Sequence, residues 1–147
     1  MIRMVLLIAL FLGSLVPLHA AEPTEEQKEI VAQKINDAVT AAESWLAIID
    51  SGKYMQSWGN AAQFFKDKVP DSQWETTLRQ VREPLGSLVS REVANVQYLT
   101  YIPGAPKGDY VVIQFKTVFS RKGEGIETVT PMLDSDGTWR VSGYYIK

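Results

Sequence analysis

Cysteine is absent from the 147 residues, and histidine occurs once, as His19. Without thiols there is no disulfide, no thiolate nucleophile and no thiol redox couple. The chain also lacks a surplus of either charge, with 15 Lys and Arg against 17 Asp and Glu for a formal net charge of −2. A phosphate backbone is gripped by basic residues clustered on one face, and here the two signs alternate throughout, so nucleic acid is not an expected partner. No internal repeat, low-complexity tract or long linker breaks the sequence, which implies one domain.

The sequence opens with a short positive region, Met1-Ile2-Arg3, followed by an apolar stretch from Val5 to Val16 that Gly13 and Ser14 interrupt. Pro17 then breaks the pattern, and Leu18-His19-Ala20 ends on the small residue that a signal peptidase requires. This order predicts a signal peptide over residues 1–20, cleaved after Ala20, and an exported protein, periplasmic or extracellular. The apolar run is shorter than the roughly 20 residues needed to span a bilayer, and no cysteine follows it to carry a lipid. No membrane span is expected after cleavage. His19 leaves with the leader, so the mature chain has neither imidazole nor thiol, which excludes Ser-His-Asp and Cys-His catalysis and any zinc site built from Cys and His. The 127 residues after Ala20 are enough for one core stabilised by packing alone.

Within residues 21–147 the punctuation predicts helices first and strands second. Thr24-Glu25-Glu26-Gln27 is a capping box, and behind it Val31, Ile35, Ala38, Ala42, Trp45, Leu46 and Ile49 recur at helical spacing until Gly52. A second helical stretch carries Tyr54, Trp58, Ala61, Ala62 and Phe65, with Pro70 after it. Ser72 and Glu75 suggest another capping box, opening a helix whose apolar face is Trp74, Leu78 and Val81 and which Pro84 ends. From Leu88 the period becomes two, predicting strands near 88–102, 109–120, 124–133 and 138–146, joined by the polar turns Ser120–Gly123 and Asp134–Gly137 and by a longer loop from Pro103 to Asp109. Val111, Ile113, Phe115 and Phe119 share one face of the second strand, opposite Gln114 and Lys116. The expected fold is α+β, with N-terminal helices packed on one face of a curved four-stranded antiparallel meander.

Four segments in fixed order carry a family resemblance: Ala41-Ala42-Glu43-Ser44-Trp45-Leu46; Tyr54 with Ser57-Trp58; Val81-Arg82-Glu83-Pro84-Leu85-Gly86; and Trp139-Arg140-Val141-Ser142-Gly143-Tyr144-Tyr145. Together they resemble the exported bacterial family known as domain of unknown function 4019, across nearly the whole chain after about residue 38. That family has no assigned activity, so the resemblance implies export and little more. The order of elements is also similar to the cystatin-like and nuclear-transport-factor-two-like group, whose cone-shaped sheets often enclose a pocket and which serve catalysis, ligand binding and interaction alike.

Candidate sites reduce to a few residues. Asp134-Ser135-Asp136-Gly137 resembles the start of a calcium loop, yet no glutamate stands at the twelfth position and the segment lies between strands, so a hairpin turn is expected and no metal. Glu43, Asp50, Glu83, Glu124 and Glu127 are carboxylates without a visible partner. Glu124 and Glu127 fall on opposite faces of one strand, and all five are expected on the solvated surface. Trp45 and Trp74 belong to apolar stripes and read as core. The expected ligand-binding residues, lining the open end of a cone, are Tyr54, Trp58, Arg82 and Tyr144. Arg82 has competing partners in helix-end carbonyls and in Glu83. On the last strand, alternation places Trp139, Val141, Gly143 and Tyr145 on one face and Arg140, Ser142 and Tyr144 on the other, so only one of Tyr144 and Tyr145 points inward.

With no cofactor and no catalytic residue indicated, three functions remain. The first is a non-catalytic module of the cell envelope that binds a small ligand or another envelope protein. The second is a small enzyme using one carboxylate or tyrosine, and the third a structural subunit of an envelope complex.

Overall fold

The structure, a computed structural model, describes residues 22–147; the expected signal peptide lies outside the described residues. Helix α1 (Glu25–Asp50) starts on the capping box. Thr24 Oγ1 accepts the Gln27 N–H at 3.2 Å, and the Gln27 side chain accepts the Thr24 N–H at 2.8 Å. The helix ends where Gly52 takes φ +72°, a conformation that costs glycine little and lets the Lys53 N–H return to the Ile48 carbonyl. Ala38, Ala42, Trp45, Leu46 and Ile49 are its buried stripe.

Three shorter helices follow: α2 (Tyr54–Gly59), α3 (Gln63–Lys68) and α4 (Asp71–Arg82), the last running into a 3-10 turn over Glu83–Leu85. The sequence pattern suggested one helix across α2 and α3. The break occurs because the Ala62 N–H, which helix continuation would need, is given to the Val141 carbonyl in the sheet at 2.8 Å. Two further expectations are corrected in α4. Its N-terminus has no side-chain cap, since the helix begins directly after Pro70 and places Ser72 inside the first turn. Its buried face is Trp74, Leu78 and Arg82, while Val81 is 41% exposed. The buried stripe advances in steps of four, Trp74, Leu78 and Arg82, each about 40° past a full turn, so it drifts around the helix away from Val81 and ends on a charge.

The sheet is an open antiparallel meander in the order β1 (Leu88–Leu99), β2 (Tyr110–Phe119), β3 (Gly123–Leu133), β4 (Trp139–Ile146). This confirms the α+β two-layer fold. Each strand begins and ends within three residues of its expected limits. Val111, Ile113, Phe115 and Phe119 are buried beneath the helices, with Val129 and Val141 beside them. A smaller cluster forms around Ala62, Tyr110 and Met132, packed by Phe64, Leu99 and Ile102. Among the described residues no helix is long and apolar enough to cross a membrane.

The pairing slips by one residue at three places: Val89 and Ala94 in β1, and Ser142 in β4. Such bulges bend a sheet and change which residues face inward. In β4, Val141 pairs with Pro131 and Gly143 with Thr130, so Ser142 is the extra residue. Pro131, which has no N–H for the ladder, is tolerated in an interior strand because it stands at this bulge. Beyond it the alternation is inverted. Tyr144 joins Val141 on the core side while Tyr145 is 59% exposed, which corrects the face assignment made from strict alternation.

Near the other end of α1, Lys34 Nζ reaches Asp109 Oδ2 at 2.9 Å, and the Tyr98 hydroxyl donates to the same carboxylate. Burial works to raise the Asp109 pKa, but the Lys34 and Tyr98 hydrogen bonds outweigh it and hold the group below its ordinary value of 3.8. A depressed carboxylate adds stability above its unfolded pKa and loses it as pH falls through the folded one. Asp109→Asn is therefore expected to be less stable than the parent at neutral pH by under about 1 kcal/mol, given the partial exposure of the pair. The difference should vanish well below pH 3.8, as urea midpoints of the two proteins at both pH values would show.

Candidate functional site

Two places concentrate polar chemistry, one sealed and one open. The sealed one lies between the layers, where the C-terminal ends of α1 and α4 meet the sheet. Asp50 closes α1, Arg82 closes α4, and Arg91, Thr117, Glu127 and Tyr144 come from β1, β2, β3 and β4 in turn. Glu127 is fully buried. Its Oε2 accepts from Arg91 Nε at 2.7 Å and Thr117 Oγ1 at 2.6 Å, and its Oε1 accepts from the Tyr144 hydroxyl at 2.5 Å. Arg82 Nη1 stands 3.6 Å from that second oxygen. Asp50 bridges both guanidinium groups, at 2.6 Å from Arg82 Nη2 and 2.7 and 3.0 Å from the two terminal nitrogens of Arg91.

The cluster is neutral as a whole, two guanidinium groups against two carboxylates, which is how a two-layer core tolerates four charges. Burial works to lower the Arg91 pKa, but Asp50 and Glu127 more than reverse this and the group rises above its ordinary value. Burial, followed by the Glu127 charge and hydrogen bond, pushes the Tyr144 phenol far up, so it remains a proton donor to Glu127. The guanidinium carbon of Arg82 lies 4.6 Å from the centre of the Phe119 ring, while its Nε and Nη1 have no hydrogen-bond acceptor among the described residues.

The four expected ligand residues do not share one surface. Arg82 and Tyr144 meet at Glu127. Tyr54 is buried in the main core with Arg79 over its ring. Trp58 packs on that core and donates its indole N–H to the Val69 carbonyl at 2.7 Å. None of the four lines any of the five most prominent surface depressions among the described residues. The competing partner considered for Arg82 is also replaced: Glu83 binds Arg79 instead, at 3.1 Å.

Of the five carboxylates, Glu124 is solvent-exposed and Glu127 buried, on opposite faces as expected, but the surface assignment fails for Glu127 and largely for Asp50. Ser57 is a residue that pattern reasoning missed. Buried in α2, its carbonyl accepts the Trp45 indole N–H at 2.8 Å and its hydroxyl accepts that of Trp74 at 3.0 Å. Both tryptophans are core, as their stripes implied.

The open place is a trough where the α2–α3 connection faces the β3–β4 hairpin. It has a volume of about 670 Å³, walled by Asn60, Gln63 and Lys66 on one side and by Asp134, Asp136 and Arg140 on the other, with Trp139 between them. A smaller depression of about 120 Å³ continues it along α1 past Ala41 and Ser44, sharing Asn60, Trp139 and Arg140. Two of the segments that carry the family resemblance thus face each other here.

Arg140 ties the hairpin together. Arg140 Nη1 binds Asp134 at 3.0 Å and Asp136 at 2.8 Å, and its Nη2 binds Asp136 at 2.8 Å. Arg140, helped by the Thr138 N–H, holds the Asp136 carboxyl far below the usual range, so the carboxylates that suggested a calcium loop are bound to a guanidinium instead. Among the described residues no three His, Cys, Asp or Glu side chains converge as a metal site requires.

No curated protein matches the chain. The family described as "Protein of unknown function (DUF4019)" matches residues 41–144, more than half of the chain, and the protein belongs to that family.

Proposed function

We propose that the protein is exported, loses residues 1–20, and serves in the cell envelope as a non-catalytic binding module whose ligand sits in the trough between Asn60 and Arg140. One observation carries this reading: the space between the layers, where a cone-shaped fold would keep a pocket, is filled by the Asp50–Arg82–Arg91–Glu127 cluster and the aromatic core, while the trough outside it is open and polar. On this reading Arg82 and Tyr144 hold the layers together, and Tyr54 and Trp58 fix the helices that build the trough wall. The trough also has the volume of a small-molecule site, roughly 300–1,000 Å³.

A second reading, a small enzyme, draws on the 2.5 Å contact of the Tyr144 hydroxyl with the buried Glu127 carboxylate. It is the weaker one, because every oxygen of Glu127 already accepts from the protein and a substrate would have to displace Arg91 or Tyr144 to reach it.

Native mass spectrometry of the protein purified gently from its own envelope tests both parts of the proposal. The expected spectrum shows a chain beginning at Ala21 with a discrete small adduct, lost after unfolding and refolding. An intact Met1 would sink the export reading, and a bare chain before refolding would sink ligand carriage.

A further inference from the structure

We infer that the trough binds a neutral oligosaccharide, with Trp139 and Asn60 as its recognition residues. The inference rests on the binding-module reading and names the ligand class for that same site. It starts from what the lining rejects. The charged residues around the trough are Lys66, Arg140, Asp134 and Asp136, which sum to zero. Arg140 is forked onto both carboxylates, so it is not free to clamp an anion, and the same contacts neutralise the carboxylates that would attract a cation. Lys66 Nζ is directed to the Gly59 carbonyl at 3.3 Å and lies over the Trp58 ring at 5.9 Å. A purely apolar ligand would face amide, carboxylate and hydroxyl groups with nothing to offer them, at the cost of leaving them dry.

What remains is a ligand that is uncharged, rich in both donors and acceptors, and carries apolar C–H faces. Trp139 supplies the matching surface. The indole N–H groups of Trp45, Trp58 and Trp74 donate to Ser57, Val69 and Ser57 respectively. That of Trp139 has no protein acceptor among the described residues, although its ring is part-buried and lines both depressions. An indole with an apolar body and an unmatched polar tip, set in a concave wall, suits a pyranose ring, which presents C–H groups on its face and hydroxyls at its rim. The Asn60 amide, exposed and without a protein hydrogen bond among the described residues, supplies one donor pair and one acceptor opposite it. Because the second depression extends past Trp139 toward Ala41 and Ser44, the site is longer than one sugar ring.

Saturation-transfer NMR on the folded protein as purified from its envelope tests this, with chitotetraose and maltotetraose as neutral probes and citrate and spermidine as charged ones. The expected result is transfer to the ring protons of at least one oligosaccharide and to neither charged probe. Affinity should drop about two- to tenfold in Asn60→Ala and in Trp139→Phe, which keeps an aromatic ring and removes the N–H. Preferential binding of citrate or spermidine, undiminished oligosaccharide binding by both variants, or no transfer to either oligosaccharide at millimolar concentration overturns the inference. Circular dichroism identifies a variant that fails to fold, in which case the other variant decides. A native adduct that is not a glycan would overturn the ligand class and leave the binding module standing, whereas no adduct and no probe binding would overturn both.

Discussion

Replacing Glu127 with glutamine is expected to destabilise the protein by about 3–5 kcal/mol, the usual consequence of removing one partner from a buried ion cluster. The side chain keeps its shape, so the effect comes from the lost charge and from the replacement of one accepting oxygen by an amide NH2. With Glu127 neutral, Asp50 alone faces Arg82 and Arg91, whose side chains are 4% and 10% exposed, and one positive charge stays in the interior without a counter-ion. A domain of this size is typically stable by only about 5–15 kcal/mol, so the variant should unfold at a urea concentration lower by roughly 2 M. The companion experiment is the pair Arg91→Met with Glu127→Leu, which leaves Asp50 and Arg82 as a neutral couple. It should cost clearly less than the sum of the two single changes. A loss under 1 kcal/mol for Glu127→Gln would mean that water reaches the cluster and that it is not the sealed interior described above.

The second large effect is expected at Trp45. Its ring is buried, 5.9 Å from Trp74 and 5.4 Å edge-on to Tyr144, and its N–H satisfies the buried Ser57 carbonyl. Trp45→Ala should therefore cost about 3–5 kcal/mol through the cavity it leaves, with the unpaired carbonyl contributing to the upper end. Trp45→Phe keeps much of the volume and should cost less than half as much, a comparison that equilibrium urea unfolding of the two variants can make. Similar losses in both variants would assign the stabilisation to the Ser57 hydrogen bond rather than to packing.

These two residues also show what a sequence of this kind reveals and what it conceals. Trp45 was legible because its role is local: it belongs to a stripe at helical spacing, and the stripe needs no knowledge of any other element. The strands were legible for the same reason, together with the turns that bound them. Glu127 was not. Its partners Asp50, Arg82, Arg91 and Tyr144 are spread over the length of the domain, and each taken singly looks like a surface group. The signal that was available is phase. Glu127 stands two residues before Val129 on the core face of β3, and Thr117 lies between Phe115 and Phe119 on that of β2, so both polar groups sit in apolar registers.

Tyr144 and Tyr145 were resolvable only in part. One had to point inward, but the choice depends on the extra residue at Ser142, and a bulge leaves no mark in an alternation pattern beyond Pro131 on the partner strand. The trough was hidden more completely, since its walls come from the α2–α3 connection and the β3–β4 hairpin, two segments that tertiary packing alone brings together.

The sealed cluster has a further consequence for how the chain reaches its fold. In a meander every strand pairs with its neighbour in sequence, so the sheet can grow hairpin by hairpin without long loops to close. That economy carries a hazard, because hairpins built locally can form one residue out of register and still satisfy their backbone bonds. Here a one-residue slip of β3 would turn Glu127 to the outer face and leave Arg82 and Arg91 in the interior with Asp50 alone. The docking of α1 and α4 onto the sheet thereby tests its register: only a correctly paired sheet offers the second carboxylate that lets both arginines be buried. Closing the layers over a mispaired β3 would cost several kcal/mol, because one buried guanidinium would have no counter-ion.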